Sequence, residues 1–215
     1  MAVKLPNGAT FEHAATYAAA LPFSAVSNAS EAICTVVGGT LVLGDILLVT
    51  SGWTALNNKV VRVKAATATA ITLEAIDTTD TTVYPAGSGT GTLKKVLTWV
   101  QIPQITDFAS SGGEQNYTDV AFLEAQQGFQ IPTDKSAASM SITVADDPTL
   151  PYVPVVTAAD TARTIQAARM NLPGTDKLYY GVFTSFSQQP SISRNNVMTK
   201  TVSMALQATA TRYTS

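Results

Sequence analysis

Few side chains in this chain are equipped for chemistry. It has one histidine, His13, and one cysteine, Cys34. A Ser-His-Asp site or a histidine metal cluster would rest on His13 alone, and the segment Thr10–Tyr17 around it offers no partners. His13 is therefore expected in a structural or solvent-facing role. Cys34 lies in "EAICTVV" with no base beside it, so it reads as a small hydrophobe rather than a nucleophile. Asp146 and Asp147 are adjacent in "ADDP". Successive strand residues point to opposite faces, which favours a strand-end cap over a shared acid/base or cation site. The glycines of "SGTGTL" and "SSGGEQ" lack the strand–loop–helix setting and the Lys-Ser/Thr of a phosphate loop, and read as turns. No catalytic residue, metal ligand or cofactor is expected.

Polar residues form a different pattern. In "SAASMSITVA", Met140, Ile142 and Val144 alternate with Ser139, Ser141 and Thr143. In "NNVMTKTVSMALQ", Met198, Val202, Met204 and Leu206 alternate with Thr199, Thr201, Ser203 and Gln207. A period of two puts each set on one face of a strand. The apolar parity is expected in a core and the hydroxyl parity against an uncharged environment. Lys200 falls on the apolar parity, so it must reach an acid or lie near the strand end.

The elements that position these faces are mainly β. Runs at 31–37, 41–50, 59–66, 69–76 and 91–102 are short, β-branched and separated by turn residues, which suits a small closed barrel of five strands. Within them Val61 and Val63 should face inward, and Arg62 and Lys64 solvent. "DFASSGGEQNYTD" (107–119) reads as a Ser/Gly-rich break, followed by longer, flatter strands at 117–125, 136–145, 177–186 and 197–208. A helix is expected over about 157–171, capped by Thr157 with Asp160 and ended by Asn171 and Pro173–Gly174. The resulting division is an N-terminal arm and first strand (1–30), a barrel insertion (31–100) and a β-sandwich core (101–215).

Charged residues make up 13% of the chain, about half the usual share, and the net charge is −2. A surface so poor in charge suits coverage by other copies of the chain. From Gln101 to Ala162, eight acids, Asp119, Glu124 and Asp134 among them, accompany one base, Lys135. From Arg163 onward, six bases, including Arg163, Arg169 and Arg194, accompany one acid, Asp176. Either these charges interleave within one domain, or they form complementary surfaces for head-to-tail association. On the second reading, reversing Arg163 and Arg169 should impair assembly and spare the fold. Glu12 and His13 interrupt what would be the apolar core of a signal peptide, so a soluble, cytoplasmically made protein is expected.

The stretches "GATFEHAATYAAALPFSAVSNASEAI", "GDILLVTSGWTALNNKVVRVK", "SSGGEQNY", "QIPTDKSAASMSITVADDPTLP", "QQPSISRNNVMTKTVSMALQ" and the terminal "TRY", in that order over nearly the whole chain, resemble the major tail tube proteins of long non-contractile tailed bacteriophages. The resemblance implies a β-sandwich with one flanking helix, whose copies form hexameric rings around a continuous inner β-barrel. Stacked rings would make a hollow conduit for DNA, bridged by arms and a long hairpin. It also implies a tail-tip complex, a tape-measure protein and a tail terminator as partners, and a virion protein assembled in the host cytoplasm. DNA would pass without specific binding, which a hydroxyl lining permits and a Lys/Arg lining would not. The other reading is a β-sandwich decoration or adhesin module that binds a cell-surface ligand.

Overall fold

The computed structural model describes residues 7–214; residues 1–6 of the expected N-terminal arm lie outside the described residues. The chain folds as β1 (Thr10–Tyr17), β2 (Leu21–Val26), β3 (Ile33–Val36), β4 (Ile46–Ser51), β5 (Val60–Ala66), β6 (Ala70–Leu73) and β7 (Gly91–Ile102). There follow β8 (Ile105–Ser111), β9 (Gln115–Val120), β10 (Phe129–Lys135), β11 (Ser139–Ala145) and helix α1 (Tyr152–Ala162). The last strands are β12 (Gln166–Asn171), β13 (Asp176–Phe186), β14 (Thr199–Leu206) and β15 (Thr211–Thr214). The fold is mainly β with one helix.

Six strands close on themselves in the order β2-β3-β6-β5-β4-β7, with β7 returning to pair with β2. The ring has one strand more than the spacing of β-branched runs suggested. The sixth is β2, "LPFSAV", which carries Pro22 and lies before residue 31. Phe23, Leu47, Trp53, Val61, Val63, Ile71 and Leu93 fill the barrel with Cys34 among them. Burial pushes the Cys34 thiol up to about 12, so it is un-ionised at neutral pH.

Strand β7 is long enough to serve two structures. Residues Gly91–Lys95 pair with β4 in the barrel, and Val96–Ile102 pair with β1. From β1 the sheet continues through β12, β13, β14 and β11 to β8. It curls far enough to bring the Phe11 ring of β1 within 6.3 Å of Phe108 on β8. The enclosed core contains Phe11, Ile102, Met140, Ile142, Val144, Val182, Phe186, Val202 and Met204, with Tyr152 and Val156 of α1 packed against it.

The helix lies earlier than the capping pattern implied. It begins at Tyr152 behind Pro151, with Pro154 in its first turn. First-turn N–H groups have no intrahelical acceptor, so prolines there cost little, and a proline-rich segment can start a helix. Arg163, at φ 49°, ends it, its N–H donating to the Ala159 carbonyl. Residues 166–171 are then drawn into the sheet between β1 and β13, where pairing on both edges outweighs helical propensity.

The break expected at 107–119 is instead strand β8, a Gly112–Gly113 turn and the start of β9. Gly112 has φ +79°, and a Cβ there would meet the Ala137 carbonyl oxygen at 2.0 Å. Only glycine fits that crossing. β9 and β10 pair with each other and stand apart as a separate two-stranded ribbon.

Candidate assembly surfaces

The two alternating strands are direct neighbours. β11 and β14 pair with Ser139 opposite Ala205, Ser141 opposite Ser203, Thr143 opposite Thr201 and Ala145 opposite Thr199. Met140, Ile142, Val144, Val202 and Met204 are all buried in the core beneath, while Ser139 and Ser203 are exposed and Ser141, Thr143, Thr199 and Thr201 half-buried. Gln207 follows the strand end and is exposed. Leu206 packs against the core edge, but Met198 lies outside β14 and is 46% exposed, contrary to its parity. Its backbone is held by the Asp146 N–H, which donates to the Met198 carbonyl at 2.9 Å.

The flanking strands extend the hydroxyl face in register. β8 sets Ser111, Ala109 and Asp107 opposite Ser139, Ser141 and Thr143. β13 sets Phe183 and Ser185 opposite Ala205 and Ser203. The Ser111 and Ser139 hydroxyls are 3.0 Å apart, a cross-strand hydrogen bond. A shallow depression of about 320 Å³ runs over this region. Among the residues in these rows, Asp107 is the one charged group. The β8 and β13 contributions had no clear sequence signal of their own: β8 is exposed on both faces, and in β13 Phe183 breaks the hydroxyl parity that Ser185 follows.

Lys200 finds its acid. Its Nζ lies 3.0 Å from Asp146 Oδ1, with both side chains 14% exposed, and 5.7 Å from the Phe186 ring centroid.

The charged residues expected between subunits divide into two groups. Arg169 is committed within the chain: its Nε pairs with Glu12 on the adjacent strand and its guanidinium lies 4.5 Å from the Trp99 ring centroid. Reversing Arg169 would set an acid opposite Glu12 on the neighbouring strand, so it should cost stability as well as assembly. Arg62, expected in solvent, likewise pairs with Glu74 and stacks over Tyr213. Arg163 and Arg194 are exposed and form no ion pair among the described residues. Asp119, Glu124 and Asp134 all lie on the β9–β10 ribbon. Asp119 accepts from Gln130 Nε2 at 2.9 Å. Hydrogen bonds, foremost from Asn116, hold the Asp134 carboxyl below its usual range. Around these acids Tyr117, Phe122, Leu123, Phe129 and Ile131 are exposed, and Phe122 and Phe129 rest on each other at 5.8 Å. The arm thus carries an exposed apolar surface beside its acids.

His13 is buried on β1. Its Nδ1–H donates to the Ala14 carbonyl at 2.8 Å, which leaves Nε2 to accept the Thr184 hydroxyl at 3.0 Å. Burial pushes its pKa below the ordinary value of 6.5. The unfolded chain therefore takes up a proton below about pH 6.5 that the folded chain refuses, so stability is full above that pH and falls below it. The expected slope is up to ~1.4 kcal/mol per pH unit until the folded pKa is passed. Urea denaturation between pH 7 and 5.5 checks this. His13→Gln should flatten the dependence, because no other histidine is present.

The polar groups of this β-scaffold are spread over a face and an arm. The profile of the family described as phage tail tube protein, TTP, matches residues 51–215, so the chain belongs to the phage tail tube protein family. It is a structural protein of the phage tail. No curated protein matches the chain. Matching solved structures include the cryo-EM structure of the anti-feeding prophage cap, described as the tube-terminating cap. That match has 14% identity and a TM-score of 0.38, and covers 54% of this chain and 83% of that one. No helix among the described residues is long and apolar enough to cross a membrane.

Proposed function

We propose that six copies of this chain form a ring in which β13, β14, β11 and β8 of each copy line a hollow conduit, and that rings stack head to tail into a tube that passes DNA. The observation that carries the reading is the four-stranded hydroxyl face with an open edge on either side. Beyond Val182, β13 has lost β12 as a neighbour, and the far edge of β8 is unpaired among the described residues. Those edges could join from copy to copy into a closed barrel, which would remove both. Ser139, Ser141, Thr143, Thr199, Thr201, Ser203 and Gln207 would then face the lumen. A lining of hydroxyls gives phosphates no cations to displace counterions and so lets DNA slide.

Stacking is assigned to the β9–β10 arm reaching a neighbouring ring. Asp119, Glu124 and Asp134 would bring acidic groups to a surface carrying Arg163 and Arg194. A tail-tip complex, a tape-measure protein and a terminator would start, measure and end such a tube, assembled in the host cytoplasm. The test is electron microscopy of the purified protein at high concentration. Hollow tubes or rings with sixfold symmetry are the expected result, and a protein that stays monomeric under all seeding conditions would overturn the reading.

A further inference from the structure

The barrel is joined to the sheet covalently at residues 18–20 and through β7, rests against β13 where Gly181 meets the Asn58 backbone, and is tied down by a further non-covalent attachment at β15. β15 pairs with β13, Asp176 opposite Thr214 and Tyr179 opposite Thr211, and then reaches across to the barrel. The Thr211 hydroxyl donates to the Val60 carbonyl on β5. The Tyr213 hydroxyl accepts the Arg62 N–H at 3.2 Å and donates to the Glu74 carbonyl at 3.1 Å. Arg62 stacks 4.8 Å from the Tyr213 ring centroid and donates to the Thr214 carbonyl at 3.0 Å. Tyr213 is 4% exposed in a cluster that unites Ile46, Leu48 and Val60 of the barrel with Ala14, Ala167 and Tyr179 of the sheet.

We propose that β15 is a strap that holds the barrel in one orientation on the sheet, and that its release frees the barrel to swing as an intact unit about β7. The geometry separates the two functions. The residues that fill the barrel, such as Trp53, Val61 and Ile71, belong to a cluster that Tyr213 does not enter. Strap loss should therefore uncouple the barrel without melting it. In an assembled tail this would make the barrel a fixed part of the wall rather than a loose appendage.

The test uses the full chain, kept dilute enough to remain unassembled, and compares wild type with Tyr213→Ala by backbone ¹⁵N relaxation and hydrogen exchange. Wild type should tumble with one correlation time across barrel and sheet. Tyr213→Ala should lose that common value, with a separate, shorter one for the barrel and unchanged exchange at Ile71 and Leu73. One shared correlation time in the variant, or two in wild type, would overturn the strap. Should Tyr213→Ala fail to fold, Tyr213→Phe retains the ring and removes only the hydroxyl. Amide exchange at Arg62 should then rise up to about tenfold, the equivalent of one lost hydrogen bond, and unchanged exchange there also overturns the proposal. None of these readings depends on tube formation.

Discussion

Excision of residues 115–135 is expected to abolish tubes while leaving a folded monomer. The ribbon they form contributes no residue to any of the three hydrophobic clusters, so the core loses nothing with it. Its ends are already held together: the Gly113 N–H donates to Ser136 O at 3.1 Å, and the Ser136 N–H to Glu114 O at 2.9 Å. A two-residue turn can bridge that gap without disturbing β8 or β11. Stability to urea should change by no more than about 0.5 kcal/mol, the range of surface changes away from special features. Microscopy under conditions where wild type polymerises should show no tubes. Leu123→Asp, which places a charge on the most exposed apolar side chain of the arm, should weaken assembly in the same direction. Normal tubes from the excised protein would show that stacking is carried elsewhere.

Asp146→Ala is expected to cost about 3–5 kcal/mol, because it leaves the Lys200 ammonium buried without its partner. A surface ion pair would be worth no more than ~1 kcal/mol, since water would solvate the orphaned charge. Here both side chains are largely covered, and Lys200 is held toward Phe186 on the same parity as Val202 and Met204. The double variant Asp146→Leu with Lys200→Met should recover most of the loss, because well-packed apolar groups of similar size can replace a buried pair. Urea midpoints of wild type and the two variants decide it. A single-variant loss below ~1 kcal/mol would mean that water reaches the site.

The parts of the fold that alternate strictly were legible in the sequence. Met140, Ile142, Val144, Val202 and Met204 lie in one core because a period of two in a half-buried strand leaves no other solution. The demand that Lys200 find an acid followed from the same parity. β8 and β10 were illegible because neither has a buried face to impose a pattern; their order comes from neighbours in space. Strand β12 was misread as helix because "IQAARM" carries helix-forming residues, and only its pairing with β1 and β13 decides the matter. Arg169 and Arg62 looked like surface charge, because a sequence of bases and acids does not reveal that Glu12 and Glu74 stand opposite them. The hydroxyl face was found at its centre, on β11 and β14, and missed at its borders on β8 and β13.

β1 and β7 are direct antiparallel neighbours, with Phe11 opposite Ile102 and Tyr17 opposite Val96. Topologically, then, everything from Ala18 to Lys95 is the loop of a single β-hairpin. The scaffold treats some eighty residues as it would a tight turn, since the entropy of closing a loop grows only slowly with its length. That makes the junction a natural graft port. A foreign domain whose ends lie a strand spacing apart could replace the barrel there, provided that it also covers the Tyr179 and Tyr213 faces that the barrel now buries.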